Sequence, residues 1–159
     1  MTSITIPDGV ATIGDYAFNF CANLTSVDML GGVESIGVYA FERCEKITSV
    51  TISGNSTVIG EYAFYGCTAL ANVTISGDNV SIGKYAFGQG NINKSSLVEV
   101  NILGSVTSFG VCAFRYCEKL AFISLEGATS IDDYAFAGCK VLTGITIPNS
   151  VTSIGRYAF

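Results

Sequence analysis

Residues 47–69 read ITSVTISGNSTVIGEYAFYGCTA, and this stretch recurs in outline along the whole chain. At this position of the unit its Ala-Phe pair recurs seven times, ending at Phe18, Phe41, Phe64, Phe87, Phe114, Phe136 and Phe159. Six of the seven pairs follow a tyrosine, and the phenylalanines are separated by 23, 23, 23, 27, 22 and 23 residues. A fixed period in this range means that one short unit is stacked on copies of itself, since no single unit can bury its own apolar face. The expected architecture is a repeat solenoid of α/β type. It forms one domain over 1–159, with about seven coils of ~23 residues and a coil around 88–96 that is four residues longer.

Within the unit, alternation of apolar and polar residues, as in LTSVDM at 24–29, predicts a half-buried strand. The inward pairs are Ile4/Ile6, Val27/Met29, Val50/Ile52, Val73/Ile75, Val100/Ile102, Ile123/Leu125 and Ile145/Ile147. A turn follows, then an Ile-Gly pair such as Ile59-Gly60, where the glycine marks a backbone bend that a side chain would obstruct. The Tyr-Ala-Phe segment is too short for a long helix and predicts a single helical or 3₁₀ turn. Seven parallel strands in one sheet, ~4.8 Å apart, would form one face, with turns and helical pieces opposite. The seven phenylalanines would stack from coil to coil as a buried spine. Thr2–Pro7 (TSITIP) matches Thr143–Pro148 (TGITIP), so the chain reads as opening in mid-repeat and incomplete at both ends, a piece of a longer array.

The composition narrows the function classes. Charged residues make up 13 % and the net charge is −5, with eight scattered Lys and Arg. Nucleic acid and anionic membrane surfaces both require a dense basic face and are disfavoured. No apolar run approaches the ~20 residues of a membrane span, so direct membrane insertion is not expected. The opening MTSITIPDGV has no basic segment followed by an apolar stretch, so a signal peptide is not expected within it.

Catalysis finds little support. Without histidine there is no Ser-His or Cys-His pair and no imidazole ligand or base. No phosphate-cradling or dinucleotide-binding glycine motif occurs. The carboxylate pairs Asp132-Asp133 and Glu42/Glu45 fall in expected exposed bends and read as solvated turn residues. Five cysteines, Cys21, Cys44, Cys67, Cys117 and Cys139, each follow a spine phenylalanine by three residues. They predict a ladder of structural thiols at a tight interior corner. Every rung has equivalent neighbours, so no unique disulfide pairing is specified, and with no CxxC pair a zinc site is not expected. Cys112, which replaces the tyrosine before Ala113-Phe114, reads as a local substitution. No enzyme activity, metal or cofactor is expected.

The pattern LxxIxIPxxVxxIGxxAFxxCxxL, clearest at Ile4–Leu24 and Leu142–Phe159, resembles the BspA-type (Treponema-type) leucine-rich repeat across essentially the whole chain. The resemblance implies a right-handed leucine-rich-repeat superhelix and a role in adhesion or protein binding. It also implies a cell-surface or secreted location, with a cytoplasmic interaction scaffold as the alternative. Implied partners are a protein, of a host or of the extracellular matrix, or a glycan. The family carries no shared catalytic residue onto this sequence.

Specificity is then sought where the repeat varies. Two outward files cross the expected sheet, one of Thr5, Asp28, Thr51, Thr74, Asn101, Ser124 and Thr146, the other containing Glu99 and Phe122. Rows of short polar side chains suit a broad contact surface with few groups to immobilise. Phe122 breaks its file and reads either as an interface anchor or as a shield folded over neighbouring strands. The candidate partner-binding residues are therefore Phe122, Glu99, Asn101, Ser124, Thr74, Thr51 and Asp28. The longer stretch GQGNINKSS at 88–96 is a second candidate recognition element or an inert insertion. A structural alternative is end-to-end self-association through uncapped ends.

Overall fold

A two-residue side-chain period places every second residue of an extended segment inside, and stacking such segments in phase lets each coil bond to the next. The computed structural model describes residues 1–90 and 94–159. In chain order its strands are β1 (Ser3–Ile6), β2 (Thr12–Ile13), β3 (Ser26–Met29), β4 (Ser35–Ile36), β5 (Ser49–Ile52), β6 (Val58–Ile59) and β7 (Asn72–Ile75). They continue as β8 (Val80–Ile82), β9 (Glu99–Ile102), β10 (Val106–Phe109), β11 (Phe122–Ile123), β12 (Ser130–Ile131) and β13 (Ser153–Ile154). The result is a β-solenoid with two parallel sheets, ordered β1-β3-β5-β7-β9-β11 and β13-β12-β10-β8-β6-β4-β2.

The single sheet expected from the sequence is thus accompanied by a second one. The Ile-Gly segments are extended for only two residues in most coils. Because the coils are in phase, that is enough for Gly37 N–H to reach Ile13 O at 2.8 Å and Gly60 N–H to reach Ile36 O at 2.7 Å. Gly60 is required for this closeness: a Cβ there would lie 2.7 Å from the carbonyl carbon of Gly37. Its counterpart in the first coil, Gly14, would meet nothing within 4 Å. The first sheet has six strands, not seven. Residues 145–147 form no strand, and Ile147 is exposed.

The expected helical or 3₁₀ turns are also absent among the described residues. Tyr16, Tyr39, Tyr62, Tyr85, Cys112, Tyr134 and Tyr157 all adopt left-handed backbone, with φ between 51° and 57°. A bulky residue there costs on the order of 1–2 kcal/mol and cannot belong to a right-handed helix. In all of these but Tyr157 the N–H reaches the following coil, where Tyr39 N donates to Glu61 O at 3.0 Å and Tyr62 N to Lys84 O at 2.8 Å. The corner therefore bonds between coils as the strands do.

The interior is a stack of rings. Phe18, Phe41, Phe64, Phe87, Phe114, Phe136 and Phe159 follow one another with centroids 5.0–5.5 Å apart and planes within 13° of parallel. Phe41 through Phe136 are fully buried, packed against the inward residues of both sheets. Phe109, standing where other coils have Ile, adds a tilted ring 5.3 Å from Phe136. Residues 91–93 of the 88–96 stretch lie outside the described residues. Around them Gln89 and Ser95 are buried and Lys94 is exposed.

Candidate functional site

Parallel pairing in register turns one position of the repeat into a file across the sheet. Ser49 pairs with Asn72, Asn72 with Glu99, and Glu99 with Phe122. The adjacent file runs Thr51, Thr74, Asn101, while Thr5 pairs with Asp28 at the other end. Asp28, Thr51, Glu99 and Asn101 are exposed, and Thr74 and Ser124 are half-buried. Ser124 lies just beyond β11, its hydroxyl accepting Glu126 N–H at 3.2 Å. The sheet thus brings all seven candidate residues to one face.

Phe122 is 59 % exposed. Its ring takes no part in any stacked or edge-on aromatic contact among the described residues, unlike the spine rings. A depression of about 230 Å³ beside it is lined by Phe122, Ser124, Glu126, Gly144, Thr146 and Pro148. Two further apolar groups missed by period-two reading, Val98 and Leu103, are 47 % and 68 % exposed at the two ends of β9. They escape the sequence pattern because they flank the strand, where alternation no longer assigns a side. A second, more polar depression of about 450 Å³ surrounds Asp28, between Thr5, Ser26, Leu30, Ser49 and Thr51.

Several polar groups outside the sheet face hold neighbouring coils together. Asp133 Oδ1 accepts Arg156 N–H at 2.6 Å, and Glu42 Oε2 accepts the Asn19 amide at 2.8 Å. Cys44, Cys67, Cys117 and Cys139 donate their thiols to Phe18, Phe41, Phe87 and Phe114 carbonyls at 3.1–3.4 Å. Burial pushes the Cys44 and Cys139 thiols up to about 12, and raises those of Cys67 and Cys117 as well. Cys21 is half-buried, and all six cysteines are free. No group of three or more His, Cys, Asp or Glu among the described residues could hold a metal ion.

Outside the corner runs a ladder of tyrosines, with Tyr16, Tyr39, Tyr62 and Tyr85 stacked at 4.9–5.1 Å. Cys112 interrupts it. Arg115 fills the gap, donating to Tyr85 Oη at 3.1 Å and Tyr116 Oη at 3.0 Å, with its guanidinium over the Tyr116 and Tyr134 rings.

A sequence profile described as "BspA type Leucine rich repeat region" matches residues 1–121 and 90–159, in six copies. The chain belongs to the BspA-type leucine-rich repeat family. Among solved structures, this BspA-type chain is similar to a leucine-rich repeat protein from Bacteroides ovatus, at 26 % identity and TM-score 0.70. That match covers 98 % of this chain and 45 % of the other, so the chain spans less than half of that relative. It is also similar to the Treponema pallidum leucine-rich repeat protein, at 27 % identity and TM-score 0.68, over 96 % of this chain and 72 % of the other. No curated protein matches the chain significantly. Members of a leucine-rich repeat family generally serve as protein-interaction modules. No helix among the described residues is long and apolar enough to cross a membrane.

Proposed function

We propose that this BspA-type repeat chain is a non-enzymatic module that binds a protein partner across the β1–β11 sheet, in an adhesive role at a cell surface. The observation that carries this reading is Phe122, an exposed aromatic set in register beside Glu99 on strands whose other outward residues are short and polar. An exposed aromatic ringed by polar side chains supplies the kind of group that fills a partner's pocket as an anchor. Short side chains around it lose little conformational entropy on contact. The inward groups and the thiol ladder are, on this reading, scaffold.

Matrix proteins and glycans presented to the immobilised chain test the proposal. Wild-type chain should retain a protein ligand, and Phe122→Ala or Glu99→Lys should weaken retention by roughly tenfold or more, as for a central anchor. The melting temperature should stay within the range of an ordinary surface substitution. Undiminished retention by both variants would remove this face from consideration.

End-to-end association of copies is the second reading. It rests on an apolar depression of about 330 Å³ between Phe136, Leu142, Ile145 and Phe159, with Ile154 and Phe159 exposed nearby. A further repeat would cover the same surface. Sedimentation across concentration decides it, since a strictly monomeric chain rules it out.

A further inference from the structure

The sheet face carries charge of one sign. Asp28 and Glu99 project from its strands, and Glu126 lines the depression that holds Phe122. All eight Lys and Arg of the chain lie outside β1, β3, β5, β7, β9, β11 and the residues flanking those strands. Both charged pairs among the described residues, Arg43 with Glu42 and Lys140 with Glu118, are also elsewhere. Among the described residues, no Lys or Arg therefore stands on these strands or next to them in the sequence, and neither charged pair includes Asp28, Glu99 or Glu126. The carboxylates at one end of the sheet stand among exposed apolar groups: Glu99 is the register partner of Phe122, and Val98 and Leu103 bracket β9.

We infer that the occupant of this face is a protein segment in which Arg or Lys is interleaved with apolar residues, docking over Phe122 with its cations directed to Glu99 and Glu126. The inference rests on the reading that the β1–β11 sheet is the binding face. A long cationic side chain suits both halves of the patch, since its methylene stem covers apolar surface while its head stays at the carboxylates. The Phe122 ring offers the same head a cation–π contact. Arg adds paired donors matched to carboxylate geometry. An acidic segment would meet like charge on every strand that carries any, and a neutral one would leave the carboxylates without a partner on docking.

Three short synthetic peptides of equal length test this, sharing a leucine and serine framework and differing only in carrying Arg, Gln or Glu at the remaining positions. Binding is read by fluorescence anisotropy, and its location by amide chemical shifts of the isotope-labelled chain. The Arg peptide should bind tightest and perturb residues 98–103 and 122–126. Its affinity should fall severalfold between about 0.01 and 0.15 M salt, because exposed charges are screened. Combined Glu99→Gln and Glu126→Gln should lower it by about tenfold and flatten the salt dependence, whereas Glu45→Gln, at a corner away from the sheet, should leave it unchanged. Equal binding of the Gln or Glu peptide, indifference to the paired substitution, or no binding of the Arg peptide would overturn the inference. If the Gln peptide binds equally well with shifts on the same strands, the sheet-face reading stands and only the cationic partner falls. Shifts confined to the β2–β13 sheet or the tyrosine ladder would remove both.

Discussion

The thiol of Cys67 donates to the carbonyl of Phe41, one coil earlier, at 3.2 Å. The same oxygen already accepts Cys44 N–H at 3.2 Å, so this rung, like those of Cys44 and Cys139, adds a second donor to a spine residue's carbonyl. A buried carbonyl has two lone pairs, and a small, weakly polar donor can serve one without a large desolvation cost. This is a physical reason for cysteine at the corner. Cys67→Ala should destabilise the chain by about 1–2 kcal/mol through the lost bond and the small void, read as a lowered urea midpoint at unchanged slope. A midpoint equal to wild type would show that the sulfur contact contributes nothing.

The spine and the exposed aromatic should separate cleanly in stability. Phe64 is fully buried between Phe41 and Phe87, and Phe64→Ala should cost about 3–5 kcal/mol. Phe122→Ala should cost no more than about 0.5 kcal/mol. Thermal melts of the two variants check this. A Phe122→Ala variant as unstable as Phe64→Ala would mean that the ring shields the sheet.

Two glycines at one repeat position should behave oppositely. A methyl on Gly60 collides with the backbone of the coil before it, so Gly60→Ala should destabilise by roughly 1–3 kcal/mol. Gly14 has open space and no left-handed φ, so Gly14→Ala should be neutral or stabilising by up to about 1 kcal/mol. Denaturant titration of the pair measures the difference, and equal effects would contradict the in-phase packing of coils.

Alkaline pH should unfold the chain through its thiols. Unfolded cysteines lose their protons near their ordinary value of 9.0, whereas folded Cys44 and Cys139 hold theirs to about 12. Between these values the unfolded chain binds fewer protons, so stability falls as pH rises. Below about 9 both states are protonated and the contribution is intact. Urea midpoints measured from pH 7 to 11 should decline only above about pH 9, and Cys44→Ala with Cys139→Ala should make that decline shallower.

The sequence determined the period, the inward files and the stacking of a phenylalanine per coil, because these follow from one-dimensional spacing and the tendency of apolar groups to leave water. It also determined which residues share the outward file with Phe122, since a side-chain period of two and an in-phase repeat leave no freedom there. Only the tertiary structure decided that Tyr62 and its equivalents turn left-handed instead of beginning a helix. Local propensity favours the helix, and the deciding term is a hydrogen bond to a residue more than twenty positions away. The same holds for the second sheet: Ser35-Ile36 is too short to be a strand alone and becomes one because Thr12-Ile13 and Val58-Ile59 lie in register on either side. Val98, Leu103 and Glu126 likewise joined the patch only when folding set the ends of β9 and β11 side by side. Loops and strand ends have no period of their own, and their neighbours are set by the coils above and below.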